Sequence, residues 1–176
     1  MADRGRSLGA GTAADEALRD LYAAHWVALV RLAYLLVRDQ GRAEEVVQDT
    51  FVACYPRLAA LRVDGTALAY LRRSVVNRCR SDFRHQKVEE RYLAAVREPL
   101  PGESAENVVL RRRADVAMLS AVQRLPQRQR EVLILRYYAD LTEQQIADTL
   151  EISPGSVKAH AHRALATLRR EFGGTS

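Results

Sequence analysis

Apolar residues return at steps of three and four along most of the chain. Leu18, Leu21 and Tyr22 are followed by Trp26, Leu29, Val30, Ala33 and Leu36, the spacing of one helix face. A break at Gly41 precedes a second run, expected as a helix over about 42–58 with Val46, Val47, Phe51 and Cys54 inward. The stretch "RVDGT" (residues 62–66) reads as a polar turn punctuated by Asp-Gly. A third helix is predicted over about 67–87, with Leu71, Val75, Val76, Cys79 and Phe83 on one face. No stretch shows the alternation that predicts a strand.

Between residues 88 and 113 the pattern lapses. The segment "REPLPGESAEN" carries two prolines and a glycine, and reads as a linker. Helical spacing resumes at about 114 and ends at 172. Residues 1–14, rich in glycine and alanine without periodicity, read as a flexible arm. The predicted fold class is all-α: two small helical domains, 15–87 and 114–172, joined by a flexible linker, the second containing a helix-turn-helix.

The second domain carries the densest local signals. Leu125-Pro126 opens a helix whose apolar side uses Val132, Leu133, Leu135 and the aliphatic stem of Arg136. Thr142 and Gln145 have the spacing of a capping box. The helix they start buries Ile146 and Leu150, and Ala147 is small enough for another helix to cross closely. Ile152 then plugs the turn. Ser153 is placed to N-cap the last helix, with Pro154 at the first position, where a missing N–H costs nothing. Val157, Ala161, Leu165 and Leu168 form its inward stripe. Ser156, Lys158, Ala159, His162 and Arg163 face outward, with Arg169 and Arg170 further on, and no acid occurs from Ser153 through Arg170. A helix N-terminus of this kind adds partial positive charge and N–H donors for a phosphate.

Composition narrows the partners. The 176 residues carry a formal charge of +5 and a pI near 9.5, which favours a polyanion. Cys54 and Cys79 have no close-spaced partner, so neither a zinc site nor a disulfide framework is suggested. His160 and His162 stand two residues apart, about 200° around a helix, and cannot chelate one ion. His25, His85 and the scattered carboxylates form no acid/base motif, so an enzyme is not predicted and no cofactor is expected. The N-terminus lacks the apolar core of a signal peptide. "WVALVRLAYLLV" is broken by Arg31 and reads as a buried helix rather than a membrane anchor. A reduced, cytoplasmic setting follows.

The first domain has two charge biases. From Ala69 to Lys87 the cations Arg72, Arg73, Arg78, Arg80, Arg84 and Lys87 face only Asp82. The preceding helix leans the other way, and Glu45, Gln48 and Asp49, at i, i+3 and i+4, make one polar acidic stripe. A basic face suits nucleic acid, and an acidic one suits a basic protein surface.

Together, "DQGRAEEVVQDTFVACY", "AYLRRSVVNRCRSDFR" and "LPQRQREVLILRYYADLTEQQIADTLEISPGSVKAHAHRAL" resemble a bacterial sigma factor of the extracytoplasmic-function (group IV) type, regions two and four in order. The resemblance implies a promoter-specificity subunit of RNA polymerase. Glu45, Gln48 and Asp49 would then meet the β′ clamp helices of the core enzyme. Arg62, Asp64, Arg73, Asn77, Arg80 and Arg84 would bind the downstream promoter element, with Asn77 at the pocket for an extruded base during melting. Ser156, Lys158, Ala159, His162 and Arg163 would read the upstream element as duplex, and the helix after Pro126 would dock on the β flap. A separate anti-sigma protein is a further implied partner. Glu151 departs from the pattern, standing where a glycine is frequent in such hinges. The rival reading is a stand-alone repressor or activator that uses only the helix-turn-helix, its first domain serving dimerisation or sensing; palindromic half-sites would then be expected.

Overall fold

The computed structural model describes residues 5–63, 66–89 and 116–173. Every regular element among them is helical. The chain divides into two compact units, Met1–His85 and Gln86–Ser176. The predicted linker, apart from Val88 and Glu89 at the end of a helix, lies outside the described residues.

In the first unit, α1 (Gly5–Val37), α2 (Gln40–Val63) and α3 (Ala67–Glu89) pack through the predicted faces. Helix α1 starts ten residues earlier than its periodicity indicated. Four of residues 5–15 are alanine or leucine, strong helix formers that can carry a backbone without an apolar stripe. The α1–α2 break also moves: it falls at Arg38–Asp39, not at Gly41, which sits inside α2. Arg38 turns the chain at φ 62° while its N–H still reaches the Tyr34 carbonyl at 2.8 Å. Asp39 then caps α2, its Oδ1 accepting the Arg42 N–H at 2.6 Å. Helix α2 runs on past residue 58 and tolerates Pro56 internally.

The core of this unit is Leu29, Leu32, Ala33 and Leu36 of α1, Val46, Val47, Phe51 and Cys54 of α2, and Leu71, Val75, Val76 and Cys79 of α3, all buried. By length and hydropathy Arg19–Val37 could cross a membrane, and the same apolar content makes it the core helix here. Tyr22 stacks on Trp26 at 4.6 Å between centroids and tilts against Phe51 at 5.2 Å, which clamps α1 to α2. Cys54 and Cys79 are both buried and are not joined in a disulfide.

The second unit comprises α4 (described over 116–124), α5 (Gln127–Tyr137), α6 (Glu143–Leu150) and α7 (Pro154–Phe172). Helix α5 is more enclosed than a single apolar face predicts: Arg130 through Leu135 are all buried. Arg130 spends its charge on structure, its Nη1 donating to the Gln123 carbonyl at 3.0 Å near the end of α4. Burial holds its pKa below the ordinary guanidinium value, opposed by neighbouring Glu131. One side of the unit is closed by Ala121 and Leu125 packed with Leu133, Ala164 and Leu168. On α7 it is Ala164 that is fully buried, and Leu165 only partly so. An exposed ion pair between Arg124 and Glu171 ties α4 to the end of α7. Ile146, Leu150 and Val157 lie where α6 meets α7, and each fully buried side chain of this size contributes about 1.5–3 kcal/mol.

Candidate nucleic-acid interface

Local chemistry fixes where α6 and α7 begin. Thr142 Oγ1 accepts the Gln145 N–H at 3.3 Å, and Gln145 Oε1 accepts the Thr142 N–H at 2.9 Å. This is the reciprocal capping box that the spacing predicted. At the start of α7, Ser153 Oγ accepts the Ser156 N–H at 3.1 Å, and the Ser153 carbonyl accepts the Val157 N–H at 3.1 Å. Pro154 has no N–H, so Gly155 supplies the remaining first-turn donor at an exposed position. The anion-binding potential of this helix start is thus concentrated in one N–H plus the dipole.

Glu151 between them adopts φ 56° and ψ 47°, the left-handed region that glycine enters most easily. The hinge geometry is therefore present without the glycine. It is held by backbone bonds: the Glu151 and Ile152 N–H groups both reach the Ala147 carbonyl, the latter at 3.1 Å.

Val157, Ala161, Ala164 and Leu168 turn inward, which leaves Lys158, Ala159, His162 and Arg163 exposed on one face. Ser156 is half-buried, its hydroxyl 2.9 Å from that of Ser153, so it belongs to the cap as much as to the outer face. Arg163 Nη2 lies 3.4 Å from His160 Nδ1. Burial first, then the positive charge of Arg163 and Arg128, hold His160 below the ordinary histidine pKa, with Glu131 opposing. A neutral ring at that place can accept from Arg163 and steady its guanidinium. The sequence reading weighed His160 only as a metal ligand, because its neighbours Arg128 and Glu131 come from α5, far away in the chain.

Lys158 Nζ approaches Glu143 Oε1 at 3.5 Å, and Arg136 Nη2 approaches the other carboxylate oxygen at 3.9 Å. Arg128 joins α5 to the end of α6, reaching the Leu150 carbonyl at 3.4 Å and Glu131 at 3.2 Å. Arg128 and Arg136 thus join α5 to α6, and the Lys158–Glu143 pair joins α6 to α7.

In the first unit the expected acidic stripe is exposed on α2, but neither of its acids stands alone. Glu45 pairs with Arg42 at 2.6 Å, and Asp49 reaches Arg78 of α3 at 3.7 Å. The same face continues into Val52, 70% exposed, and Tyr55. The sequence reading missed both, although 45, 48, 49, 52 and 55 keep one helical spacing. On α3, Asn77 is half-buried and its Oδ1 accepts from Arg80 at 3.2 Å, which leaves the amide nitrogen as a donor. Arg73 is exposed, and burial lowers the pKa of Arg72. Arg62 and Arg84 belong to α2 and α3 by backbone, but their side chains, and Asp64 entirely, lie outside the described residues. Beyond the buried run of α5, Tyr137 and Tyr138 are exposed. Among the described residues no three His, Cys, Asp or Glu side chains gather as a metal site would require.

Residues 21–89 match the family description "Sigma-70 region 2", and residues 115–168 match "Sigma-70, region 4". The chain is 36% identical over 146 residues to the RNA polymerase sigma-E factor of Streptomyces coelicolor, covering 82% of this chain and 80% of that protein. It is 29% identical over 170 residues to the ECF RNA polymerase sigma factor SigM of Mycobacterium tuberculosis, covering 94% and 83%. Among solved structures, CnrH in complex with the cytosolic domain of CnrY resembles it with a TM-score of 0.66 at 26% identity, covering 95% of this chain and 96% of that one.

Proposed function

Because the chain belongs to the extracytoplasmic-function family of RNA polymerase sigma factors, we propose that its two units read two separate promoter elements while joined to core polymerase. The family acts in transcription initiation and not as an enzyme, and it works where the polymerase does, in the cytoplasm. The observation that carries the reading is α7: a helix capped at its start by Ser153, whose outward face is cationic with no acid from Ser153 through Arg170.

In this reading α7 enters the major groove of the upstream element, with Lys158, Ala159, His162 and Arg163 toward base edges. Ser156 positions the helix start near a phosphate. The basic side of α3, through Arg73, Asn77 and Arg80 and with Arg62, Asp64 and Arg84, takes the downstream element during melting. Glu45, Gln48 and Asp49, extended by Val52 and Tyr55, receive the β′ clamp helices. Tyr137 and Tyr138 at the end of α5 face the β flap. CnrH is known in complex with the cytosolic domain of CnrY, and on that likeness an anti-sigma protein is proposed as a further partner.

Run-off transcription with core polymerase on a genomic promoter library tests the function, since a stand-alone regulator would yield no sigma-dependent start sites. The α2 contact is tested by Glu45→Lys combined with Asp49→Lys. Exposed ion pairs are worth about 0–1 kcal/mol to a fold, so the double variant should melt near the parent temperature yet lose core binding in a pull-down. Parental affinity for core in a folded double variant removes α2 from the interface.

A further inference from the structure

Glu143 is the first residue of α6 and stands between two cations of neighbouring helices. Its carboxylate oxygens lie 3.5 Å from Lys158 of α7 and 3.9 Å from Arg136 of α5. The capping box pins its backbone, and a negative charge in a first helical turn is favourable with the dipole. Lys158, by contrast, is 73% exposed at the side chain, where Glu143 is 24% exposed. Helix α7 brings no acid of its own to this face from Ser153 through Arg170, so the negative charge beside Lys158 is supplied by α6.

We propose that Glu143 is a specificity-determining counter-charge for Lys158, lowering the attraction of the recognition surface for DNA of any sequence and aiming the Lys158 ammonium along one direction. The inference rests on the reading that α7 meets the upstream duplex. Non-specific affinity comes from phosphates neutralised by Lys and Arg with release of counterions. A lysine that already holds a carboxylate must give it up to neutralise a phosphate, so its net contribution to that attraction is small. A base edge differs. Lysine reaches guanine O6 and N7 at a defined place in the groove, and a lysine tethered at its outer side is held in fewer orientations. An exposed pair of this kind adds little to stability, so its effect falls on what Lys158 contacts.

The test uses the full chain assembled with core polymerase, as the parent, Glu143→Gln, Lys158→Met and the double variant. Binding to promoter duplex and to an unrelated duplex is measured from 50 to 200 mM salt, together with selection from a randomised upstream element. Glu143→Gln should strengthen binding to the unrelated duplex and relax preference at the base pair that Lys158 meets. One further neutralised phosphate steepens the salt slope by about 0.9, so affinity should fall about 3.5-fold more across that range. In the Lys158→Met background the same substitution should change neither quantity. Glu143→Asp, with its charge kept and its reach shortened, should fall between parent and Glu143→Gln. If Lys158→Met weakens binding while Glu143→Gln leaves slope and preference unchanged, the counter-charge role is overturned and the α7 reading survives. If Lys158→Met changes neither affinity nor base preference, the assignment of Lys158 on α7 is itself overturned. A Glu143→Gln effect that persists without Lys158 overturns the coupling between them.

Discussion

At Glu151 an L-residue occupies the left-handed region, with φ 56° and ψ 47°. Cβ crowding against the following carbonyl costs a non-glycine residue there about 1–2 kcal/mol. Glu151→Gly removes that cost but gives the unfolded chain more freedom, which takes back about 0.5–1 kcal/mol. The backbone bonds of Glu151 and Ile152 to the Ala147 carbonyl need no side chain and remain. The balance is a gain of about 0.5–1 kcal/mol, or a rise of about 2–8 °C in melting temperature for a unit of this size. Scanning calorimetry of the full chain, following the transition of the C-terminal unit, reads it. Glu151→Ala serves as the control, because it removes the carboxylate while keeping the Cβ, and it should show none of the gain. Should Glu151→Gly melt at or below the parent while Glu151→Ala holds the parental melting temperature, the argument that the hinge is strained fails.

Two further outcomes are expected. His160 is held below the ordinary histidine pKa by burial and by Arg163 and Arg128, with Glu131 opposing. The unfolded chain therefore takes up that proton first, so stability is full above the ordinary value of about 6.5 and falls as pH drops through it. Melting temperature followed from about pH 8 to about pH 5 should show this decline, and His160→Gln should flatten part of it. Arg163→Ala should cost about 1–3 kcal/mol on a specific upstream element and relax one base preference. Arg170→Ala, two turns further along α7, should weaken all sequences alike and flatten the salt dependence. Selection on a randomised promoter library separates the two, and a shifted base preference in Arg170→Ala would overturn that division.

What the sequence made legible follows the range of each interaction. The capping box at Thr142 and Gln145 and the Ser153-Pro154 entry to α7 are set by residues three apart, so spacing alone found them. The inward residues Val46, Val47, Phe51 and Cys54 of α2 and Leu71, Val75, Val76 and Cys79 of α3 followed from periodicity for the same reason, while the side chain of Phe83 lies outside the described residues. The departure at Glu151 was visible, but not its outcome, because the turn is held by backbone bonds to Ala147 that any residue can make. Start and stop positions were less legible. Gly41 drew the break toward itself, whereas Arg38 and Asp39 perform it with a left-handed turn and a side-chain cap. The pairings of Lys158 with Glu143, Asp49 with Arg78 and His160 with Arg163 and Arg128 were out of reach where they join different helices, since nothing in a linear pattern specifies which helix lies alongside. Leu165 was expected inside and Ala164 was found there, because close approach to α4 and α5 selects the smaller side chain.

The closure of the second unit by Ala121, Leu125 and Leu133 against Ala164 and Leu168 has a consequence for how it comes to exist in the cell. A ribosome delivers α4 and α5 first, and about forty residues separate Ala121 from Ala164, the time of several seconds at ordinary elongation rates. Until the last helix emerges, the apolar sides of α4 and α5 have no cover. The helix that carries the outward cations is thus also the piece that completes the core. A nascent chain lacking α7 has no closed second unit, and in the proposed reading it also lacks the surface for the upstream element, so that part of promoter recognition is acquired in the same late step as the fold of this unit.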